Sequence, residues 1–344
     1  MKFNQEYIAE NLYKKLNEHV KNRKELINIS IEGLGVHWHC MVAFQNRACK
    51  IHCFEDYNQG NLKGEYLMSF KEFNENKAWG RTHKIEEVLT SSAIWISNKG
   101  VNFLYQQYEF VDWDKRRVNF IENEFLKYES KLRNVTTKKD YWSDSCDYTM
   151  MYKNRSCRLS GYGKNEPVSF NFQWDKCRLF EVQQNDLTLM AKVIKKWLID
   201  EIQPSVLEHQ FDWIKINNLA RYYENGEGLK GEFIESWNNI ERFYGQFDDR
   251  FKTKKLVINL IRELRQKGFD ETLRAGQSVY IFMVSRSRRH GLVVGQNFIK
   301  FVFNREEDEM TVNDSAGQQI LSGEIKFSTK LEAVLNNISK EEIS

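Results

Sequence analysis

The chain has 344 residues and a mass of 41.1 kDa, which exceeds the size of one average domain. Hydrophobic residues make up 41% of it, with 9 Trp, 15 Tyr and 23 Phe, and this composition excludes an intrinsically disordered chain. The formal net charge of +3 is too small for a protein that attracts duplex nucleic acid through its overall field, but it permits a local basic patch. The abundance of Asn, Lys and Ile is typical of AT-rich bacterial or phage genomes.

Residues 1–24 predict an N-terminal amphipathic helix, because apolar residues recur there at helical spacing among charged ones. The segment has no continuous apolar core like that of a signal peptide, and no stretch reaches the roughly 18 apolar residues of a membrane span. We therefore expect a cytoplasmic protein without a membrane partner. In that compartment the 6 cysteines are expected to be reduced thiols.

The clearest internal pattern is a repeated segment: MVAFQNRACKIH at 41–52 recurs as TMMYKNRSCRLS at 149–160. Three residue types coincide in the two strings, at Asn46 and Asn154, Arg47 and Arg155, and Cys49 and Cys157. Each string predicts a β-hairpin, in which two apolar strands flank an Asn-Arg turn and Asn takes the left-handed conformation.

Both hairpins precede another strand-like segment and an amphipathic helix, and Trp95 and Trp197 occupy matching places in the apolar stripes of these helices. A weaker third copy of this element order runs over 298–338, where Thr329 and Glu332 form the pattern of a capping box. Together these patterns predict an α+β protein with an internal duplication. We expect the N-terminal helix at 1–24, two related antiparallel-sheet-plus-helix modules at 25–135 and 140–250, and a C-terminal α+β unit at 251–344.

The segment SRSRRHG at 285–291 is the strongest candidate for a binding site. Guanidinium groups and serine hydroxyls suit phosphate and carboxylate oxygens, so we expect an anion-binding loop. Its predicted ligands are Arg286, Arg288, Arg289 and His290. A predicted strand at 279–284 would hold Arg274 about 20 Å away, at the far end, unless the chain folds back. The alternative is a solvated loop whose arginines pair with the acidic residues 306–309.

Asp314, Glu324 and Lys326 follow the outline of a Mg²⁺-dependent nuclease, in which two carboxylates hold the metal and Lys steadies the scissile phosphate. GEIKF at 323–327 is predicted to be a strand. So short a pattern also arises by chance in a chain rich in Glu and Lys, and Asp314 equally fits a turn. We expect no cofactor except Mg²⁺, and Mg²⁺ only under this alternative.

A set of histidines and cysteines on two predicted strands resembles a zinc site in its residue types. It comprises His37, His39, Cys40, Cys49, His52 and Cys53. The spacing matches no common zinc finger, and Ser160 stands where the repeat would place the counterpart of His52. We therefore expect no metal site, and we interpret the cysteines as small buried hydrophobic side chains.

No motif of a P-loop enzyme, a Rossmann dehydrogenase, an α/β-hydrolase or a zincin occurs in the chain. The first functional hypothesis is a cytosolic binding or regulatory protein whose C-terminal arginine loop engages an anionic partner, nucleic acid or a nucleotide. The alternatives are the Mg²⁺-dependent nuclease and a protein-interaction module or subunit of a larger assembly, anchored by surface aromatic residues. Duplicated modules with divergent polar residues favour binding, because a catalytic set would have to survive in at least one copy.

Overall fold

A computed structural model describes residues 4–21, 27–35, 37–55, 64–127, 135–142, 145–160, 168–247, 251–278, 281–288, 295–304 and 306–343. It contains three five-stranded antiparallel sheets interleaved with helices, which confirms the predicted α+β fold with related sheet-plus-helix modules. The chain divides into two compact units, Met1–Ile202 and Gln203–Ser344.

The first unit holds two of the sheets, and both are meanders in which consecutive strands pair. Its helices are α1 (Asn4–Val20), α2 (Ile85–Ile96), α3 (Val101–Gln107), α4 (Trp113–Leu126) and α5 (Leu187–Leu198). The first sheet contains β1 (Asn28–Leu34), β2 (His37–Phe44), β3 (Arg47–Glu55), β4 (Gly64–Glu72) and β5 (Glu75–Thr82). The second contains β6 (Thr136–Trp142), β7 (Ser145–Tyr152), β8 (Arg155–Ser160), β9 (Ser169–Trp174) and β10 (Cys177–Gln183).

Each of these sheets buries one face under helices. In β3, Cys49, Ile51 and Cys53 are buried while the residues between them are half-exposed, which is the alternation that a half-buried strand requires. Helices α1 and α2 pack on the first sheet, and helices α4 and α5 pack on the second. A module is therefore a helix, a five-stranded meander and a second helix.

The two sheets share their strand register. Cys49 pairs with Phe70 in the first sheet, and Cys157 pairs with Phe172 in the second. The last strand pair of each sheet also contains a one-residue bulge at the same place, opposite Phe70–Lys71 in the first sheet and opposite 172–173 in the second. Because a slip of one residue would turn every side chain to the other face, this agreement confirms that the repeated strings form equivalent hairpins.

The turn of the repeated hairpin differs from the prediction in one detail. Its two turn residues are Gln45–Asn46 and, in the second copy, Lys153–Asn154. The residues in the left-handed region are Gln45 and Lys153, both at φ 53°, and not the asparagines. Arg47 is the first residue of β3, because its backbone already pairs with β4.

The repeated arginine has a buried structural role in both modules. Arg47 donates to the carbonyl oxygens of Trp95 and Lys99, at 3.2 and 2.6 Å. Arg155 donates to those of Trp197 and Ile202, at 3.1 and 2.7 Å. Both guanidinium groups lie 4.3 Å from the centre of a helix tryptophan ring, Trp95 or Trp197. The equivalent positions predicted for the two tryptophans are thus confirmed. In each module the arginine links the start of one strand to the end of one helix.

The second unit contains the third sheet and six helices among its described residues. The helices are α6 (Pro204–Gln210), α7 (Asn218–Glu224), α8 (Gly228–Gly245), α9 (Lys254–Gln266), α10 (Phe269–Thr272) and α11 (Thr329–Ile338). The strands are β11 (Arg274–Ser278), β12 (Ile281–Ser285), β13 (Phe298–Phe303), β14 (Glu309–Asn313) and β15 (Gln319–Glu324). Buried residues of α8, α9 and α11 share one core with this sheet.

Two sequence predictions for the third sheet need correction. The strand predicted at 323–327 ends at Glu324, and the next residues form a bend that leads to α11. The N-cap of α11 is Ser328 and not Thr329, because the Ser328 side chain accepts a hydrogen bond from the backbone N–H of Leu331 at 3.2 Å. The helix therefore begins at the predicted place, with its cap one residue earlier.

Across the described residues, none of the helices is both long enough and apolar enough to span a membrane.

Candidate functional site

The predicted arginine loop lies at one end of the third sheet, beside Arg274. Strands β11 and β12 form an antiparallel hairpin in which Arg274 pairs with Ser285, while residues 279–280 lie outside the described residues. Nη1 of Arg274 donates a hydrogen bond of 2.9 Å to the carbonyl oxygen of Arg288. The chain therefore folds back between these two strands, which is the exception left open in the sequence analysis, and Arg274 lies beside Arg288 and not about 20 Å away.

Arg286 uses its guanidinium group to hold backbone carbonyls. Its Nε donates to the carbonyl oxygen of Glu341 at 3.0 Å, and its Nη1 donates to that of Thr272. These contacts attach the chain after β12 to the C-terminal segment and to the end of α10. The two other loop residues predicted to bind anions, Arg289 and His290, lie outside the described residues.

Arg288 binds a buried carboxylate. Its Nε and Nη2 donate to Oε1 of Glu232 at 3.1 and 2.9 Å, and the Tyr223 hydroxyl donates to the same oxygen. Burial acts to lower the pKa of Arg288, but the hydrogen bond and charge of Glu232 outweigh it and raise that pKa. Because the Glu232 side chain is only 3% exposed, Arg288 neutralises a charge that would otherwise be costly to bury.

The acidic residues 306–309 have other described partners. Glu306 forms an ion pair with Lys252, and Glu307 accepts a hydrogen bond from Asn304 at 2.9 Å. The alternative interpretation, in which the loop arginines pair with this acidic run, therefore does not describe Arg286 or Arg288. Their described contacts are with backbone carbonyls, Tyr223 and Glu232.

The residues of the nuclease pattern do not converge. Glu324 pairs with Glu309 at the first residue of β14, whereas Asp314 follows the last residue of that strand. A strand of 5 residues separates them by about 17 Å. Asp314 accepts a hydrogen bond from the backbone N–H of Gln318 in a turn, and Lys326 pairs with Glu324 at 2.6 Å on the surface. The two carboxylates thus cannot hold one metal ion.

The cysteines and histidines of β2 and β3 lie on opposite faces of the first sheet. Cys40, Cys49 and Cys53 are buried, whereas His39 and His52 are paired across the strands on the other face. Burial raises the pKa of the Cys49 thiol to about 12, which keeps it protonated. Across the residues that the structure describes, no group of three or more His, Cys, Asp and Glu side chains is arranged to hold a metal ion.

The face of the first sheet that carries these histidines is a candidate binding surface, and we call it the outer face. Cross-strand pairing arranges its side chains in rows. The first row is Met41, Lys50, Ser69 and Trp79, and the second is Glu32, His39, His52, Leu67 and Arg81. The helices α1 and α2 cover the opposite face, so these side chains lie on the side of the sheet away from that core, where Ser69 is nevertheless buried.

Aromatic rings lie close together on the outer face. The ring centroids of His39 and His52 are 5.3 Å apart, and those of His52 and Phe54 are 6.5 Å apart with an interplanar angle of 21°. His52, Phe54 and Trp79 are each half-buried. The rings are thus held in place by the sheet while part of their surface stays exposed to solvent.

The outer face is also electropositive around His52. Burial, followed by the charges of Lys50, His39, Lys71 and His37, lowers the pKa of His52. Burial and Lys50 lower the pKa of His39 as well, against the opposing effect of Glu32, whose carboxylate lies 3.4 Å from Nε2. Within the described part of the chain, neither Lys50 nor Lys71 has a carboxylate partner.

The second sheet lacks this surface although its backbone is equivalent. The register identifies five equivalent positions at which the two sheets carry different residues. The pairs, with the first sheet given first, are His39 and Asp147, Lys50 and Arg158, His52 and Ser160, Lys71 and Gln173, and Trp79 and Glu181. Arg158 is the cation that remains, and Asp147 pairs with it at 2.5 Å. At these five positions the second sheet therefore carries polar residues, and its one cation there is paired with a carboxylate.

From the sequence, His39 and His52 were considered only as zinc ligands, a role that was rejected, and Lys50, Lys71 and Trp79 were not singled out. The alternation along β3 was the available signal, because it separates Lys50 and His52 from the buried cysteines. Lys71 and Trp79 join them only through strand pairing, which no local pattern in the sequence specifies.

With this geometry in view, the chain was compared with known proteins: no protein-family model, no curated protein and no solved structure matches it.

Proposed function

We propose that the protein is a binding protein for nucleic acid, and that it binds through the outer face of the first sheet. The observation that carries the proposal is the presence of Lys50 and Lys71, two lysines without carboxylate partners among the described residues, beside a histidine cluster. Lysine side chains bind phosphate oxygens, and phosphate contacts supply much of the affinity of proteins for nucleic acids.

This surface supports the anionic-partner hypothesis better than the arginine loop does. The described guanidinium contacts of Arg286 and Arg288 are with carbonyl groups and with the buried Glu232. A phosphate at Arg288 would compete with a carboxylate that is already desolvated, and displacing it would leave Glu232 buried without its cation. The lysines of the outer face have no such competitor in the part of the chain that the structure describes.

The proposal is for binding without cleavage. A Mg²⁺-dependent nuclease needs two carboxylates within reach of one metal ion, and Asp314 and Glu324 lie about 17 Å apart at opposite ends of β14. No observation on the β14–β15 hairpin therefore favours the nuclease.

A salt titration tests the proposal. We would measure the anisotropy of a fluorescein-labelled 20-nucleotide thymidine oligomer with the full chain and with the double variant K50Q/K71Q. If both lysines contact phosphates, the variant should bind more weakly, and its plot of log affinity against log salt should be shallower by about 1.4 for two contacts to a single strand.

The matched control is R158Q/R178Q, which removes the same charge from the outer face of the second sheet. Both arginines there have carboxylate partners, Asp147 and Glu181, so this variant should retain the affinity and the slope of the parent chain. Equal losses in the two double variants would show that only net charge matters and would refute a specific site. No binding by the parent chain at low salt would refute the function itself.

A further inference from the structure

We infer that the nucleic acid bound by the outer face is single-stranded and that its bases stack on the rings of His52, Phe54 and Trp79. The inference rests on the proposed function and specifies its ligand. It combines three observations on the first sheet: partly exposed rings, a surface five strands wide, and lysines beside the rings.

The rings are suited to stacking because the sheet holds them and leaves them partly exposed. His39, His52 and Phe54 form a contiguous series, with neighbouring ring centroids 5.3 and 6.5 Å apart. Every base offers a flat π-face, and sheets that carry aromatic residues use such faces to bind single strands. In a duplex these π-faces are covered by neighbouring base pairs, so only an unpaired strand can use the rings.

The shape of the sheet also disfavours a duplex. Five strands at a spacing of about 4.8 Å make a surface about 19 Å across. The major groove of B-DNA is about 12 Å wide and admits a helix or a two-stranded ribbon. A surface five strands wide therefore cannot enter this groove to bring its rings to the base edges, whereas a single strand can lie across the rings.

The charges on the outer face indicate how the strand lies. Lys50 is in the same row as Trp79, and Lys71 lies one row further from the histidines. Glu32 lies in the histidine row beside His39, and Glu65, which pairs with Phe54, accepts hydrogen bonds of 3.4 Å from Arg81. We therefore place the phosphates towards Lys50 and Lys71, with the bases over the rings.

The second sheet provides an internal comparison for this assignment. Ser160 and Glu181 occupy the positions equivalent to His52 and Trp79, and Gln173 replaces Lys71. Two rings and one lysine of the first sheet are thus replaced at described positions of the second, while Arg158 keeps the charge of Lys50 in an ion pair with Asp147. Tyr162, at the position equivalent to Phe54, lies outside the described residues. A purely structural role for His52 and Trp79 is disfavoured, since the second sheet pairs its strands in the same order and register without a ring at either position.

The test separates stacking from charge. At pH 8, where His52 is neutral, we would compare the labelled thymidine 20-mer with a 20-mer of the same phosphodiester backbone in which every residue is abasic. The ring variant H52S/W79L should lose about fivefold to 150-fold in affinity for the thymidine oligomer, the range expected for loss of base stacking. Its affinity for the abasic oligomer should change less than about twofold, which also shows that the variant is folded.

Two further variants and two further oligomers complete the experiment. K50Q/K71Q should weaken the binding of both oligomers by similar factors, because it removes charge and no ring. S160A/E181L, the matched variant of the second sheet, should bind both oligomers like the parent chain. A uridine 20-mer and a duplex of equal length extend the comparison: tighter binding of the uridine or of the thymidine oligomer identifies RNA or DNA, and the duplex should compete poorly.

The possible contradictions are distinguishable. Equal affinity of the parent chain for the thymidine and abasic oligomers would overturn stacking and leave nucleic-acid binding intact. Equal competition by the duplex would overturn single-strand recognition. An H52S/W79L variant that loses both oligomers alike would assign the rings to the fold of the sheet. Absence of binding to every oligomer would remove the proposed function together with this inference.

Discussion

The first and second sheets of this protein have the same strand architecture and different outer faces. Both pair five strands in the same order and register, and both fix an arginine at the start of a strand beneath a helix tryptophan. Their outer faces differ at equivalent positions, where His52 corresponds to Ser160 and Trp79 corresponds to Glu181. Packing therefore restrained the interior of both copies, whereas the solvent-facing positions were free to acquire a separate role.

One difference between the interiors is the group that accompanies the arginine. Nη2 of Arg47 lies 2.8 Å from Oε1 of Glu72. The register places Trp174 at the position equivalent to Glu72, and the Arg155 guanidinium lies 4.1 Å from the centre of that ring. Arg155 is thus in contact with two tryptophan rings, so its environment is more apolar than that of Arg47.

The largest expected effect is on stability. R155A should lower the free energy of unfolding by about 3–5 kcal/mol, because it removes two charge-assisted hydrogen bonds to buried carbonyls together with the contacts to two rings. Chemical denaturation followed by far-UV circular dichroism measures this. R158A, on the exposed side of the same strand, is the control and should change the value by less than about 1 kcal/mol. Similar effects of the two variants would contradict the buried role of Arg155.

A smaller effect on stability should come from the carboxylate that distinguishes the first copy. E72Q keeps the shape of the side chain and removes its charge, so Arg47 retains its carbonyl acceptors and loses its ion pair. We expect a destabilisation of about 1 kcal/mol, measured by the same denaturation experiment. A neutral result would mean that the carbonyls and the Trp95 ring suffice, as they do with the two rings of the second copy.

Exchanging one residue between the copies should affect binding without unfolding the sheet. H39D places the aspartate of the second sheet beside His52 and Lys50, where its charge repels phosphate. We expect affinity for the thymidine 20-mer to fall about fivefold, which corresponds to about 1 kcal/mol. Anisotropy titration measures the change, with D147N on the second sheet as the control. Unchanged affinity of H39D would place the ligand away from the histidine row.

The smallest expected effect is a dependence of binding on pH. The pKa of His52 is below its ordinary value of 6.5 because of burial and the nearby Lys50, Lys71, His37 and His39. A bound phosphate opposes these charges and raises that pKa, so binding takes up protons. Affinity should therefore increase by about threefold as the pH falls from 7.5 to 5.5, and H52S should flatten the profile. A profile that H52S leaves unchanged would exclude His52 as the source.

The same pKa shift predicts the opposite trend for the free protein. In the unfolded chain His52 takes up a proton near its ordinary pKa, whereas in the folded chain it does so at lower pH. The contribution of this residue to stability is therefore complete above about pH 6.5 and decreases as the pH falls through that region. Denaturation at pH 7.5 and 5.5, with and without H52S, measures this contribution and separates it from the change in binding.

Much of the fold was predictable because local sequence patterns indicate its helices and strands. The repeated hairpin strings and the apolar stripes that carry Trp95 and Trp197 are enough to identify the two modules. The edge strands β5 and β6 were missed, because ENKAWGRT and TTKKDYW are largely polar and lack the alternation of a half-buried strand. Pairing with the neighbouring strand stabilises these segments as strands. The sequence of an edge strand alone gives little indication of that pairing.

The candidate site was less predictable, for a related reason. The arginine loop attracted attention by composition, but composition does not show that Arg288 meets Glu232 from another helix or that the chain folds back at Arg274. Lys50 and His52 are close in sequence, yet Lys71 and Trp79 join them only across β4 and β5. A surface of this kind is assembled from several strands, and each strand alone has an ordinary sequence.

The amino-acid sequence by itself determined the α+β class, the duplication, the inward-facing cysteines and the places of the two helix tryptophans, because periodicity and repeated strings act within one element. The tertiary structure decided which arginines are buried, which carboxylates remain apart and which face of which sheet is basic and aromatic. These outcomes depend on strand register and on contacts between residues far apart in the chain. A shift of one residue in that register would turn the rows of the outer face inward, so only the assembled sheet defines the surface.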